Sequence, residues 1–301
     1  MNTDNLPRIA FVGIGLMGLP MASRLLKAGY PLSAWNRTKE KALHLAELGA
    51  DVADTLEAAV ASADIVITML EAGPIVKRVV EDMLPSLKTS ALVIDMSSTR
   101  QSEAKDVARI LASRQNAFLD APVSGGVVGA EAGTLAIMVG GSEDDFKRAE
   151  PVFKVMGRPT LVGPNGAGQV AKLCNQLIVG GTVAIVAEAM LLAEAGGADP
   201  AAMRAAIRGG FAESRILEVH GQRMLDRNFK PGGQIKSQAK DHVNIMAAAE
   251  DAGLQLPLTA LVADLFDGLL ATHESADQAA ALLALEELNK GIRLGEKPDQ
   301  F

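Results

Sequence analysis

The apolar residues of this chain follow two patterns, one in each half. In the first half, short runs rich in valine and isoleucine alternate with segments of helical spacing. Continuous apolar runs are typical of parallel strands that are covered on both faces. The alternation predicts a doubly wound α/β domain. The predicted strands are 8–12, 32–35, 64–70, 91–96, 117–123, 134–139 and 159–162, and the predicted helices are 17–29, 38–49, 73–81 and 101–114.

After Gly168 the strand pattern ends and the chain becomes rich in alanine, leucine and methionine. Residues 169–195 predict a long helix that joins two domains, and Pro200 and Pro257 mark the first turns of later helices. The second domain is therefore predicted to be all-helical. The polar tail, residues 295–301, is expected to fray.

Composition narrows the partners and the chemistry. The 29 basic and 36 acidic residues give a net charge of −7, which argues against nucleic acid or an anionic membrane as a partner. The single cysteine, Cys174, cannot form an internal disulfide, so a cytoplasmic location is predicted and the thiol itself is expected to be buried packing. The four histidines have no close metal-ligand spacing, and no metal site is expected.

No targeting or membrane-spanning segment is expected from the sequence. The N-terminus has an acid and no basic region before its apolar stretch, unlike a secretory signal. The longest uncharged run, between Lys172 and Glu188, has fifteen residues. A membrane-spanning helix needs about 20. A buried helix of a soluble protein fits this run better.

A glycine-rich motif follows the first predicted strand and opens the first predicted helix. Its spacing is G-x-G-x-x-G, and its residues are Gly13, Ile14, Gly15, Leu16, Met17 and Gly18. Such a loop makes a tight turn and brings backbone N–H groups to a pyrophosphate at the helix N-terminus. The motif predicts a Rossmann-type dinucleotide-binding domain over 1–167, followed by a substrate-binding and dimerisation domain over 168–301.

The end of the second predicted strand bears on which dinucleotide binds. It reads Asn36-Arg37-Thr38, with no carboxylate before Glu40. An NAD-selective site usually has an acid here to bind the ribose hydroxyls. Asn36 and Thr38 can instead donate hydrogen bonds to a 2′-phosphate, and Arg37 can pair with it. We therefore predict NADP(H), with NAD still possible; the alternative is a solvated arginine beside a helix cap.

Two further segments carry candidate chemistry. Ser124, Gly125 and Gly126 follow a strand and offer a hydroxyl and bare N–H groups to a small carboxylate; an ordinary turn is the alternative.

Lys172 lies at the start of the long helix and shares a face with Asn175. A partly desolvated lysine there could face a cleft between the domains and act as a general acid, although a surface lysine is the common case. Lys240, beside Asp241, is a weaker candidate.

Together these motifs resemble the β-hydroxyacid dehydrogenase family over nearly the whole chain. The resemblance rests on segments 12–18, 120–126 and 166–176 and on Lys240-Asp241, and segments 207–210, 227–232 and 255–259 look most like its tartronate semialdehyde (2-hydroxy-3-oxopropionate) reductases. It implies that Lys172 is catalytic with Asn175, and that Ser124, Gly125, Gly126 and Asn175 hold the substrate carboxylate end. It also implies that Met69, Leu70, Ser98 and Lys240 lie at the cofactor.

The predicted function is NAD(P)H-dependent interconversion of a small semialdehyde acid and its 3-hydroxy acid, with glycerate as the expected product. The alternatives are 3-hydroxyisobutyrate, serine, threonate or a four-carbon semialdehyde as substrate, or a non-catalytic dinucleotide-binding module. The apolar helical domain also predicts a homodimer or homotetramer.

Overall fold

The computed structural model describes residues 6–301, which form two compact units. The N-terminal unit ends at Lys172, and the C-terminal unit spans Leu173–Phe301. The long helix of the chain begins in the first unit and continues into the second. The assignment of NADP binding to the first unit and of substrate binding and dimerisation to the second stays a prediction.

The N-terminal unit is built on one nine-stranded sheet. Its order is β3-β2-β1-β4-β5-β6-β8-β7, with β9 paired to β8. The strands from β3 to β6 are parallel, and β8 runs antiparallel to β6 and β7. The strands are β1 Ile9–Val12, β2 Leu32–Trp35, β3 Asp51–Val52, β4 Ile65–Thr68, β5 Leu92–Asp95, β6 Ala117–Asp120, β7 Val123–Ser124, β8 Leu135–Gly140 and β9 Gly157–Gly163.

Strand order reverses at β1, which pairs with β2 on one side and β4 on the other. In doubly wound sheets, ligands bind beyond the carboxyl ends of the strands at such a reversal. The carboxyl ends of β1, β4, β5 and β6 therefore define the edge that matters for function. We call it the carboxyl edge.

Helices cover both faces of this sheet. Ile9 and Phe11 of β1 belong to one apolar core, and the alternating Ala10 and Val12 belong to another. All four side chains are at most 1% exposed, which explains the unbroken apolar runs. The prediction of a doubly wound domain is confirmed. The helices are α1 Gly18–Lys27, α2 Glu40–Ala46, α3 Leu56–Val60, α4 Gly73–Met83, α5 Gln101–Ala112, α6 Gly126–Ala132 and α7 Glu143–Met156.

The C-terminal unit is helical, as predicted. Asp199 caps α9 by accepting from the N–H groups of Ala201 and Ala202. The helices are α8 Ala167–Ala195, α9 Pro200–Ile207, α10 Arg215–Leu225, α11 Ile235–Asp251, α12 Pro257–Gly268, α13 Leu270–His273 and α14 Ala281–Leu288. By length and composition α8 could cross a membrane. Val183, Ala187 and Met190, however, are fully buried in the core of this unit.

The C-terminal tail contradicts the prediction that it frays. The backbone of Gln300 exchanges hydrogen bonds with Phe229 and Arg227, at 2.7 and 2.9 Å. Phe301 packs on Phe229 with ring centroids 5.7 Å apart. Arg227 is 1% exposed and binds Asp299 at 2.6 Å. The polar tail is held in part because Asp299 is one of the two carboxylates that pair with the buried Arg227, the other being Glu286.

Candidate active site

The glycine-rich loop is fixed by the packing of two of its glycines. The Gly13 N–H donates to the Trp35 carbonyl at 3.0 Å, and φ of Gly13 is +102°. A Cβ at Gly13 would overlap the Met69 carbonyl, and a Cβ at Gly18 would overlap the Gly13 carbonyl. These two glycines are therefore required by the fold itself.

Gly15 differs because the fold does not require it. A Cβ at Gly15 would meet no atom of the described residues, 6–301, within 4 Å, and the φ of Gly15 is not in the left-handed region. The next residue, Leu16, is 85% exposed. The loop thus presents bare backbone to an open space at the start of α1, where a pyrophosphate would bind. This open backbone is the feature of the structure that fits a dinucleotide.

Asn36 connects the end of β2 to the same loop. Its side-chain oxygen accepts from the Ile14 N–H at 2.9 Å, and its side-chain nitrogen donates to the Thr38 carbonyl at 2.8 Å. A carboxylate could not donate to Thr38, so the fold itself favours an amide here. The Asn36 side-chain nitrogen, which was expected to donate to a 2′-phosphate, therefore already donates one hydrogen bond within the protein. Arg37 and Thr38 are exposed.

Buried polar contacts organise the loops that follow β4 and β5. The Thr68 hydroxyl donates to Asp95 at 2.8 Å, and the Ser97 hydroxyl accepts from the Leu70 N–H at 2.8 Å. These contacts join the Met69-Leu70 segment to the loop of Ser98. Ser98 is half-buried, while Ser97 and Thr99 on either side of it are buried.

Gln169 on α8 reaches the same loop, which the sequence did not indicate. Its side-chain nitrogen donates to the Ser97 carbonyl at 2.8 Å, and its side-chain oxygen accepts from the Thr99 N–H at 2.9 Å. Gln169 is fully buried. The two backbone groups that flank Ser98 are thus bound by one amide.

Asp120 caps α8 from the end of β6. Its two carboxylate oxygens accept from the N–H groups of Gly166 and Gln169, at 2.6 and 2.9 Å. A Cβ at Gly168 would lie against the Asp120 backbone, so the helix can approach the sheet this closely only with glycine there. The sequence places Asp120 in the motif of residues 120–126 but gives no sign of this capping role.

Burial shifts the protonation of both acids at this edge. It raises the pKa of Asp95 to about 6, against the opposing effect of hydrogen bonds from Ser97 and Thr68. It raises the pKa of Asp120 to about 7, although two backbone N–H groups favour the anion. Two buried carboxyls therefore change charge close to neutral pH.

The free energy of unfolding should consequently fall as pH rises from about 4 to about 7, and then level off. In that window folded Asp120 keeps a proton that the unfolded chain has released. A shift of about three units corresponds to a change of the order of 4 kcal/mol. Urea unfolding measured across the window checks this, and Asp120→Asn should make the fall shallower. Equal pH slopes for the wild type and the variant would contradict it.

Lys172 lies on the second turn of α8 and is 9% exposed. Asp120, which caps this helix, is the last residue of β6, and Ser124 follows four residues later in β7. Gly125 and Gly126, with φ of +136° and +63°, are exposed at the start of α6. The structure therefore brings the glycine loop, the Ser98 loop, the Ser124 segment and the start of the Lys172 helix to one edge.

A second set of predicted residues meets within the C-terminal unit. The Asn175 amide donates to the Gln176 side chain at 2.8 Å, and Gln176 donates to Asp241 at 2.7 Å. Lys240 lies 3.6 Å from the other Asp241 oxygen. Gln238, which the sequence did not indicate, donates to the Gln176 carbonyl at 3.0 Å. Since Asp241 is buried, this is more than an exposed ion pair.

The expectation for Cys174 was wrong, because its thiol is exposed. It lies two positions after Lys172 on α8 and so faces a different direction. His242, which follows Asp241 on α11, is buried against Phe266, and burial lowers its pKa. Neither residue joins the contacts described above.

The fold and the glycine loop define a dinucleotide-binding protein of the Rossmann class. The NAD-binding domain of 6-phosphogluconate dehydrogenase matches residues 8–180, and the NAD-binding domain of NADP-dependent 3-hydroxyisobutyrate dehydrogenase matches residues 166–285. The chain therefore belongs to the β-hydroxyacid dehydrogenase family. Its members are dehydrogenases that act on CH–OH groups.

Individual relatives agree on the family and differ in substrate. The 2-hydroxy-3-oxopropionate reductase of Escherichia coli is 42% identical over 93% of this chain and 97% of its own. The 3-hydroxyisobutyrate dehydrogenase of Pseudomonas aeruginosa is 35% identical over 94% and 98%. A structure of 3-hydroxyisobutyrate dehydrogenase from Mycobacterium tuberculosis with L-serine is 34% identical, with a TM-score of 0.87 over 93% of this chain and 99% of that one.

Proposed function

We propose that this chain is an NADPH-dependent reductase of 2-hydroxy-3-oxopropionate, forming glycerate. The observation that carries the proposal is the buried Lys172 at the carboxyl edge, on a helix capped from the strand that leads into the Ser124 segment. The choice of substrate is supported by the 42% identity to the Escherichia coli reductase and by segments 227–232 and 255–259.

In this proposal bound NADPH supplies a hydride to the carbonyl carbon of the substrate. The Ser124 hydroxyl and the N–H groups of Gly125 and Gly126 bind the substrate carboxylate. The Lys172 ammonium donates a hydrogen bond to the carbonyl oxygen, stabilises the negative charge that develops there, and then transfers its proton. Asn175 orients the same oxygen. The carbon–oxygen π bond breaks, and one C–H and one O–H bond form.

Arg37→Ala tests the choice of NADPH over NADH. Arg37 is exposed beside the glycine loop, and a charge-assisted hydrogen bond to the 2′-phosphate is expected to contribute about 1.5 kcal/mol. The Kd for NADPH should therefore rise about tenfold, while the Kd for NADH, which lacks the phosphate, stays within about twofold. Fluorescence titration of both cofactors measures this. Equal weakening of the two would show that Arg37 does not bind the phosphate.

A substrate panel tests the reaction itself. The purified protein is assayed with NADPH on 2-hydroxy-3-oxopropionate, 2-methyl-3-oxopropionate and succinic semialdehyde. In the reverse direction it is assayed with NADP+ on serine and threonate. The highest kcat/KM is expected for 2-hydroxy-3-oxopropionate. A higher value for 2-methyl-3-oxopropionate would favour a 3-hydroxyisobutyrate dehydrogenase, which the relatives of 34–35% identity make the second candidate. No turnover with any compound would indicate a non-catalytic binding module.

We also propose a homodimer or homotetramer in the cytoplasm. Ile178, Ile185 and Leu192 are more than 60% exposed, and their spacing of seven residues places them on one side of α8. An apolar stripe of this kind is typical of a surface that another copy covers. Sedimentation would report the state of assembly.

A further inference from the structure

Gln169 is the point at which three parts of the carboxyl edge meet. Its backbone N–H donates to the Asp120 carboxylate at 2.9 Å. Its side chain binds the Ser97 carbonyl and the Thr99 N–H, at 2.8 and 2.9 Å. The side chain is fully buried, and both ends of its amide are used. No other contact described above joins the Ser98 loop to α8.

We propose that Gln169 is a positioning residue that sets the distance between Ser98 and Lys172. Gln169 precedes Lys172 by three residues, so the two lie about one turn apart on the same helix. Gln169 also binds the backbone on both sides of Ser98. The inference rests on the proposed function, in which the proton comes from Lys172, and on the expectation that Ser98 lies at the cofactor.

The chemistry of the contact explains why glutamine stands here. The loop presents one acceptor, the Ser97 carbonyl, and one donor, the Thr99 N–H, and a carboxamide can pair with both at once. An apolar side chain of similar length would fill the space but leave both groups unpaired. The loop would then be free to shift relative to α8, and hydride and proton transfer depend on such distances.

If Gln169 had a purely structural role, its substitution would lower the stability of the protein without a specific effect on catalysis. The test therefore needs a control variant that loses a similar buried amide elsewhere. Asn116 provides one, because it is also a buried amide that binds backbone groups. Its side-chain nitrogen donates to the carbonyls of Lys88 and Ala91, at 2.8 and 3.3 Å. These contacts lie at the amino ends of β5 and β6. The carboxyl edge is at the other end of the same strands.

The experiment compares Gln169→Met with Asn116→Leu in the full-length protein. Gln169→Met should lower kcat about 10- to 100-fold, because the reacting groups are misplaced. The Kd for NADPH should stay within about threefold, since the glycine loop is intact. The primary isotope effect with 4-deuterated NADPH should rise. Asn116→Leu should lose stability and keep the wild-type kcat and isotope effect. Wild-type kcat in Gln169→Met, or equal loss in both variants, would overturn the proposal.

A substrate-independent measurement separates this inference from the proposed function. The emission of NADPH bound to each protein reports the surroundings of the nicotinamide ring. It should change in Gln169→Met and not in Asn116→Leu. If the wild type reduces no compound of the panel, the proposed function fails, but the emission still decides about Gln169. An unchanged emission in Gln169→Met would overturn the positioning role.

Gln169→Glu provides a second test, the pH dependence of kcat. A loss of stability alone would not change this dependence. A protonated carboxyl can donate to Ser97 and accept from Thr99, as the amide does, whereas a carboxylate cannot donate. The kcat of this variant, divided by that of the wild type at each pH, should therefore rise as pH falls. Asp95 and Asp120, which bond to the Ser98 loop and to α8, and Lys172, one turn along α8, are present in both proteins. A ratio that does not change with pH would contradict the proposal.

Discussion

Lys172→Met is expected to lower kcat for semialdehyde reduction about 10³-fold or more, while the Kd for NADPH stays within about threefold. The ammonium group is proposed both to stabilise the developing alkoxide and to protonate it. Methionine fills a similar volume but carries no charge and no transferable proton, and so loses both effects. Because the pyrophosphate is proposed to bind at the glycine loop, away from the Lys172 side chain, binding should persist. Steady-state kinetics and a fluorescence titration measure the two quantities.

Lys172→Arg separates the two effects of the lysine. A guanidinium keeps the positive charge but does not give up a proton in proteins. If proton transfer matters most, the arginine variant should be almost as slow as the methionine variant. Recovery of most of the activity would assign the effect of Lys172 to charge alone. Activity of Lys172→Met near that of the wild type would contradict the catalytic role altogether.

The central strands could be predicted from the sequence because burial on both faces requires a continuous apolar run, and such a run is visible in the local sequence. Strands β1, β4 and β5 lie in the middle of a sheet covered on both faces, so their residues are apolar except for Thr68 and Asp95, which bond to each other at the carboxyl ends of β4 and β5. Strand β3 has two residues and α3 has five, which is too short for a period to show. The predicted strand 117–123 is divided, because Pro122 lacks the N–H needed to continue the ladder.

The functional residues also divide into those with a local sequence pattern, which could be predicted, and those without one, which could not. The glycine loop was predictable because the residues that pack α1 against β1 are close together in the sequence. Their spacing is therefore visible as a local motif. Asp120 and Gln169 were not predictable, since their contacts join residues 46 to 72 positions apart and leave no local pattern. The tail was mispredicted for the same reason. Its polar composition suggests fraying, whereas Arg227, a buried cation distant in sequence, binds Asp299.

Gly15→Ala should raise the Kd for NADPH about 100-fold without weakening the fold. The added methyl group meets no atom within 4 Å in the part of the chain that the structure describes, so the free energy of unfolding of the apoprotein should stay close to that of the wild type. The same methyl group would project into the space proposed for the pyrophosphate. Overpacking of that kind costs up to about 3 kcal/mol, which corresponds to a 100-fold loss of affinity. Cofactor titration and urea unfolding measure the two effects.

Two other glycines provide the controls for this prediction. Gly268, at the end of α12, also has open space around its missing Cβ, so Gly268→Ala should leave the affinity unchanged and should not lower stability. Gly18→Ala should weaken both, because its Cβ would overlap the Gly13 carbonyl and push α1 away from the loop. Only Gly15 is expected to lose affinity while keeping stability. That combination would assign Gly15 to the ligand, since nothing else in its surroundings explains why the position should be glycine.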